Sequence, residues 1–302
     1  MAERSDIRSA PLTDEPGWVV VRWYAAFNGV RAAVRVPVKI VIFAAVFLLV
    51  LFPRPWLLVR HVDRVRHLDR LIEPNAPGLE ALGRQLQTSL PAGLTNRQIH
   101  RRVEEFVHKT IPYDWDWNTW GVADYIPTVS ELLEMRREDC DGRAVLAASL
   151  LRQLGQKSYL ATDLRHVWVG VERDELMGPG GRKTAISTPT GTRFDWRTVE
   201  NVPRTLAFGT AVFPLPRELI VLATMVLLLA HPKMRVRWLV SGTALLLAAL
   251  VFLRLGVDVI PGFRGYSERI WSSWLGLIVA ILGVAWLWWW ARRARVQEIA
   301  SP

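Results

Sequence analysis

The residues best placed to do chemistry in this 302-residue chain lie in two short stretches. EDCDGRAVLAASLLRQLG, Glu138 to Gly155, holds the only cysteine, Cys140, and RHVWVGV, Arg165 to Val171, holds His166. AVLAASLLRQL is apolar almost all round, the pattern of a helix buried in a core. A thiol at the start of such a helix faces unpaired backbone N–H groups and the positive end of the helix dipole, and both favour thiolate. Asp139 and Asp141 oppose this by like-charge repulsion unless they cap the helix. Cys140 taken alone is therefore open to two readings, a small inert core residue or a nucleophile. On a strand, His166, Trp168 and Gly170 face one way while Val167, Val169 and Val171 face the other. With the valines assigned to the core, the His–Trp face is expected to look toward the layer that holds the buried helix. From there His166 can take the proton of Cys140 and return it to a leaving amine.

The elements that must position this pair are legible on either side. Thr95 and Gln98 form a capping box, followed by Ile99, Val103, Phe106, Val107 and Ile111 at helical spacing. Thr128 and Glu131 form a second box before ELLEMRRE. Gly155 stops the Cys140 helix. Beyond it the period changes: Ser158 to Thr162 and His166 to Val171 alternate as strands, with MGPGGRK a turn between strands. Helices precede strands, which is an α+β order and not a βαβ repeat.

Composition places this domain in a membrane protein. Half of the residues are hydrophobic, fifteen are Trp, and the net charge is +10. Basic residues beside apolar runs suit a membrane better than a nucleic acid, and no zinc-finger spacing, phosphate-cradling loop or RNA-stacking motif is present. Four apolar stretches follow: Val36 through Phe52, Leu219 to Ala230, Trp238 to Leu253 and Ile270 to Trp290, so about four spans are expected. Trp271 and Trp274 at one end of the last span, and Trp288 to Trp290 at the other, stand where indole rings meet the membrane interface. Lys233, Arg235 and Arg237 in the link HPKMRVR, with Arg292, Arg293 and Arg295 in the tail, place those segments in the cytoplasm by the positive-inside tendency. Arg54, Arg60, Arg64, Arg66 and Arg70 crowd the opposite end of the first span, against this orientation. The stretch before that span is too long for a plain signal peptide, and no small-residue cleavage site follows, so a retained anchor is expected. The resulting division is a cytoplasmic segment 1–35, a first transmembrane helix 36–59, an extracytoplasmic domain 60–213, transmembrane helices 2–4 over 214–290 and a basic cytoplasmic tail 291–302. The chain should sit in the cell membrane as a multi-pass protein, with the lipid bilayer as a partner and no nucleic acid. His61, His67, His100, His108 and His231 show no paired spacing, so neither a metal nor another cofactor is expected.

TVSELLEMRREDCDGRAVLAASLLRQLG followed by a strand with HVWVGV resembles the transglutaminase-like superfamily, a papain-like α+β fold. The resemblance covers roughly Thr95 to Thr190. It implies Cys140 as nucleophile and His166 as general base, with an Asp on the strand after the His to orient the ring. This chain departs from the pattern at that third position. AISTPTG puts Thr188 before Pro189 where an Asp is usual, and Asp195 in TRFDWRT is the nearest acid downstream. In YDWDWNTWG, Trp117 and Trp120 could line a substrate groove beside the thiol, as could Trp168.

The expected function is a membrane-anchored cysteine enzyme acting on a peptide or glutaminyl amide. Cys140 forms the thioester and His166 shuttles the proton, leading to hydrolysis or acyl transfer, with a protein or peptide substrate, of the cell envelope by location. The alternative is a non-catalytic transglutaminase-like scaffold or binding subunit with a degenerate triad, assembled with other membrane subunits.

Overall fold

The computed structural model describes residues 31–163, 165–172, 174–178, 183–195, 202–259 and 266–300. Most of the expected N-terminal segment 1–35, part of the MGPGGRK turn and the end of the basic tail lie outside those residues.

A mixed domain of helices and one open sheet stands between apolar helices. α1 (Ala32–Leu51) leads into α2 (Pro55–Arg66), then a 3-10 turn at Leu68–Leu71, α3 (Leu79–Ser89) and α4 (Asn96–Thr110). Short helices α5 (Asp116–Thr119) and α6 (Val129–Met135) precede α7 (Cys140–Gln153). The strands are β1 (Ser158–Thr162), β2 (Val167–Val171), β3 (Asp174–Leu176), β4 (Ala185–Thr188) and β5 (Gly191–Phe194). They form an antiparallel sheet in the order β3-β2-β1-β4-β5.

Both capping boxes form. Thr95 and Thr128 accept the N–H of Gln98 and Glu131, whose side chains bond back to the N-cap N–H groups. α7 ends in a Schellman motif: Gly155, at φ +77°, donates to Arg152 O and Gln156 donates to Leu151 O. Between its ends α7 is buried almost throughout. Val145, Leu146 and Leu150 share a core with Val103 and Val107 of α4, Leu79 and Leu86 of α3, and Leu160, Val167, Val169 and Val171 of the sheet. The valine face of β2 therefore packs into the core that α7 occupies, the reverse of the expected orientation. His166 and Trp168, at alternate positions, belong to the opposite face.

The remaining chain is apolar helix: α8 (Val202–Val212), α9 (Leu215–Leu229), α10 (Val236–Leu255) and α11 (Ile270–Ala300), with a hairpin of β6 (Val257–Val259) and β7 (Tyr266–Glu268) joining the last two. Among the described residues, three helices are long and apolar enough to cross a membrane: α1, α10 and Ile270–Gln297 within α11. A fourth crossing exists if α8 and α9, bent by 117° at Pro214, count as one span. Pro214 and Pro216 lack the N–H groups that would continue the helix. The guanidinium of Arg254 donates to Thr210 O and Phe213 O at this break and pairs with Glu218, so carbonyls freed by the bend are satisfied inside the bundle. Small residues let α10 and α11 approach closely: a Cβ on Gly276 would lie 2.8 Å from Leu253 Cγ and 2.9 Å from its backbone nitrogen.

The mixed domain is seated on this bundle. Ala123 N donates to Leu51 O, Arg217 donates to Gly121 O, and Trp117 meets Phe213 edge-on at 6.3 Å.

Candidate functional site

α7 begins where two segments are stapled together. Glu138 N donates to Pro112 O and Asp114 N donates to Glu138 O, a short parallel bridge that draws α5 up to the helix start. Asp139 is the N-cap and accepts the N–H of Asp141, while Asp141 accepts the N–H of Gly142. Capping therefore occupies the two acids that flank Cys140.

Cys140 itself is partly exposed as a residue, but its sulfur is turned inward and accepts the backbone N–H of Val167. Burial pushes the thiol well above its ordinary range, and the charge of Asp139 pushes it further in the same direction. The hydrogen bond from Val167 opposes both and is outweighed. Helix dipole and N-terminal N–H groups do not produce a thiolate here.

His166 is buried, at 4% exposure. Its Nε2–H donates to Met177 O across 2.7 Å, and its ring lies nearly parallel to that of Trp168 at 6.2 Å. Burial lowers its pKa, against the raising influence of the Met177 carbonyl and of Asp163, so the imidazole is neutral at pH 7.

These placements correct the expected Cys–His mechanism. Among the described residues Cys140 is paired with no histidine: its sulfur takes the N–H that follows His166, not the ring. The cause is the facing of β2, which offers its valines to α7. The histidines that hold carboxylates are elsewhere: His100, with Nδ1 3.0 Å from Asp174 Oδ2, and His61 and His67, beside Asp124 and Asp63. A thiol nucleophile, and with it the peptidase, hydrolase or acyl-transfer reading, is not supported by this geometry.

The third positions stand apart. Thr162 pairs with both Val167 and Ala185, so Thr188 falls level with Gly170 and two strands over. That is roughly 13 Å along the sheet from His166 and roughly 10 Å across it. Its hydroxyl donates to Gly191 O within the β4–β5 turn. Asp195 is at the same sheet end as His166, with its N–H on Thr184 O, but it follows the outermost strand β5. The three tryptophans also separate. Trp117 stacks on Trp115 and touches Phe213, Trp120 donates to both oxygens of Glu138, and Trp168 is fully buried behind His166.

Two groups were not apparent in the sequence. Asp163 is fully buried and accepts the N–H groups of Arg165 and His166, while its second oxygen pairs with the Arg165 guanidinium at 2.7 Å. This closes the β1–β2 connection; the Asp-x-Arg-His spacing is its only signal. The second group consists of Asp116, Glu138, Asp139 and Asp141, each with a carboxylate oxygen within 4.8 Å of the others. Burial, followed by the charge of Asp139, raises the Glu138 carboxyl to about 9, and the same two causes hold Asp116 and Asp141 well above the usual range.

Family models, curated proteins and solved structures were each compared with this chain, and none of the three comparisons gives a match. The fold defines the class: a multi-pass membrane protein carrying a mixed domain with one open antiparallel sheet.

Proposed function

We propose that this chain is a non-catalytic membrane scaffold or binding subunit whose mixed domain is a transglutaminase-like fold with a degenerate site. The observation that carries the reading is the placement of Cys140, whose sulfur accepts the Val167 N–H and is paired with no histidine among the described residues. His166 is neutral and bound to a carbonyl, and Thr188 closes its own turn. Helices before sheet, with a cysteine opening the buried helix and a histidine leading a central strand, support the fold assignment. The domain then serves as a surface for a protein or peptide of the cell envelope, bound and not cleaved. The basic link and tail, Lys233, Arg235, Arg237, Arg292, Arg293 and Arg295, support an extracytoplasmic position for it.

Iodoacetamide labelling of the detergent-solubilised chain at neutral pH tests the site. Cys140 should react far more slowly than a free thiol, and Cys140→Ala should leave cellular function intact. Enhanced labelling together with loss of function in that variant would sink the proposal. Sidedness is read separately by placing Thr190→Cys, an exposed position, in the Cys140→Ala chain. A membrane-impermeant maleimide should label it in intact cells; labelling only after lysis would reverse the orientation.

A further inference from the structure

Asp116, Glu138, Asp139 and Asp141 present carboxylate oxygens that all lie within 4.8 Å of one another, at exposures of 9% or less. Four acids converging inside a protein repel one another and lose hydration, so protons or a cation must neutralise them, and a cation does so without protonating the group. Arg143 is the nearby cation, but its guanidinium is engaged elsewhere: Nε and Nη2 donate to Ile111 O, and the group lies 5.0 Å over the Tyr113 ring. Asp116, 1% exposed, has one oxygen on the Tyr125 N–H and the other, Oδ1, on no N–H or hydroxyl donor among the described residues, with the Glu138 carboxyl as its side-chain neighbour. A buried carboxylate oxygen without an N–H or hydroxyl donor, within reach of three further acids, has the setting of a cation ligand. The backbone also makes room for the group: a Cβ on Gly142 would collide with Cγ of Glu138.

We propose that these four side chains bind one hard divalent cation. The donors are all carboxylate oxygens, which suit Ca²⁺, Mg²⁺ or Mn²⁺ and not a thiolate-seeking metal. Four carboxylates can supply up to eight oxygens, and the acids come from two separate segments whose spacing is set by packing. That flexible, oxygen-rich arrangement favours Ca²⁺ over the strict octahedron of Mg²⁺. Cys140 lies between two ligands in sequence but is not one of them, its sulfur being held by Val167. The cation would lock α5 to the start of α7. Trp115 and Trp117, beside Asp116, pass that order to Phe213 at the membrane bundle. This inference does not depend on the transglutaminase-like reading.

The test is calorimetric titration of the full chain in detergent, stripped with EDTA, using CaCl₂, MgCl₂, MnCl₂ and ZnCl₂ in turn. One cation per chain should bind, with Ca²⁺ the tightest and with a rise in Tm. Glu138→Gln, which keeps the shape and the Trp120 contact, should weaken binding about tenfold or more. Cys140→Ala should leave binding unchanged. If Glu138→Gln does not fold, Asp141→Asn serves in its place. No saturable binding to the wild-type chain up to ~1 mM cation, the weak end of extracellular calcium modules, would overturn the proposal. So would full affinity in both acid variants, or a preference for Zn²⁺ that Cys140→Ala abolishes.

Discussion

Nε2 of His166 donates its proton to the carbonyl of Met177 across 2.7 Å, with the ring otherwise sealed against Trp168. The carbonyl favours the charged ring, but burial outweighs it and keeps the ring neutral. Burial is the main reason its pKa falls below the ordinary 6.5, and Asp163 and Arg165 act on it in opposite directions. The unfolded chain therefore takes up a proton near pH 6.5 that the folded chain resists, so stability contributed by neutral His166 is present above that value and lost as pH falls through it. Thermal melts of wild type and His166→Gln from about pH 7.5 down to about pH 5.5 separate this contribution from that of the raised acids around Cys140, which favour the folded chain as pH falls. His166→Gln retains an N–H for Met177 but cannot charge, so the Tm of wild type should drop relative to that of the variant as pH falls over this range. Equal slopes would mean that the imidazole titrates normally.

The buried pair beside it gives a larger expected effect. Asp163 and Arg165 are almost wholly enclosed, and Asp163 also holds two backbone N–H groups at the β1–β2 connection. Asp163→Ala removes the carboxylate from beside a buried guanidinium and frees those donors, which should cost about 3–5 kcal/mol in denaturant unfolding. Replacing both residues by apolar ones should cost less than the single change, because no uncompensated charge remains. A double variant as damaged as Asp163→Ala would show that the turn donors, and not the ion pair, dominate.

How far the sequence carried these conclusions depends on what each pattern encodes. Thr95 with Gln98, and Thr128 with Glu131, are local signals, and both boxes form where the residues stand. Gly155 and the strand Ser158–Thr162 are equally local. The facing of β2 is not local. Every residue from Val167 to Val171 is buried, so alternation separates the strand into two faces without saying which one meets α7. The Cys–His reading rested on that choice and failed with it. The acid cluster escaped for a related reason: Glu138, Asp139 and Asp141 are near neighbours in sequence, but Asp116 joins them through tertiary contacts, the Tyr113–Glu138 bridge and the Trp120–Glu138 hydrogen bonds.

The α10–α11 hairpin depends on close backbone approach, since lipid supplies no hydrophobic force to hold two apolar helices together. Gly276 sits against Leu253 and the Ala249 carbonyl, and Gly283 against Leu246. Gly276→Leu places a side chain where a backbone nitrogen is already 2.9 Å from the Cβ position, so the helices must separate. Tm in detergent should drop by several degrees, and proteolysis between the two helices should accelerate. Gly209, with nothing within 4 Å of its Cβ position, is the control, and Gly209→Ala should be near neutral.

Arg254 makes a contrasting prediction, because it acts on backbone and not on packing. The break between α8 and α9 leaves carbonyls near Pro214 without helical donors, and one guanidinium serves Thr210, Phe213 and the Glu218 carboxylate together. Arg254→Met preserves much of the side-chain length but removes every donor. Loss of satisfied buried acceptors should cost about 1–3 kcal/mol, and Glu218 is left inside the bundle without its partner. Adding Glu218→Gln to Arg254→Met should recover part of the loss by removing the stranded charge, although the carbonyls stay unpaired. Arg254→Lys should fall between, since a single ammonium cannot span the same acceptors as the planar fork. The measurement is the detergent Tm of the three variants beside wild type. If all three melt with the wild type, the 117° bend is held by apolar packing alone.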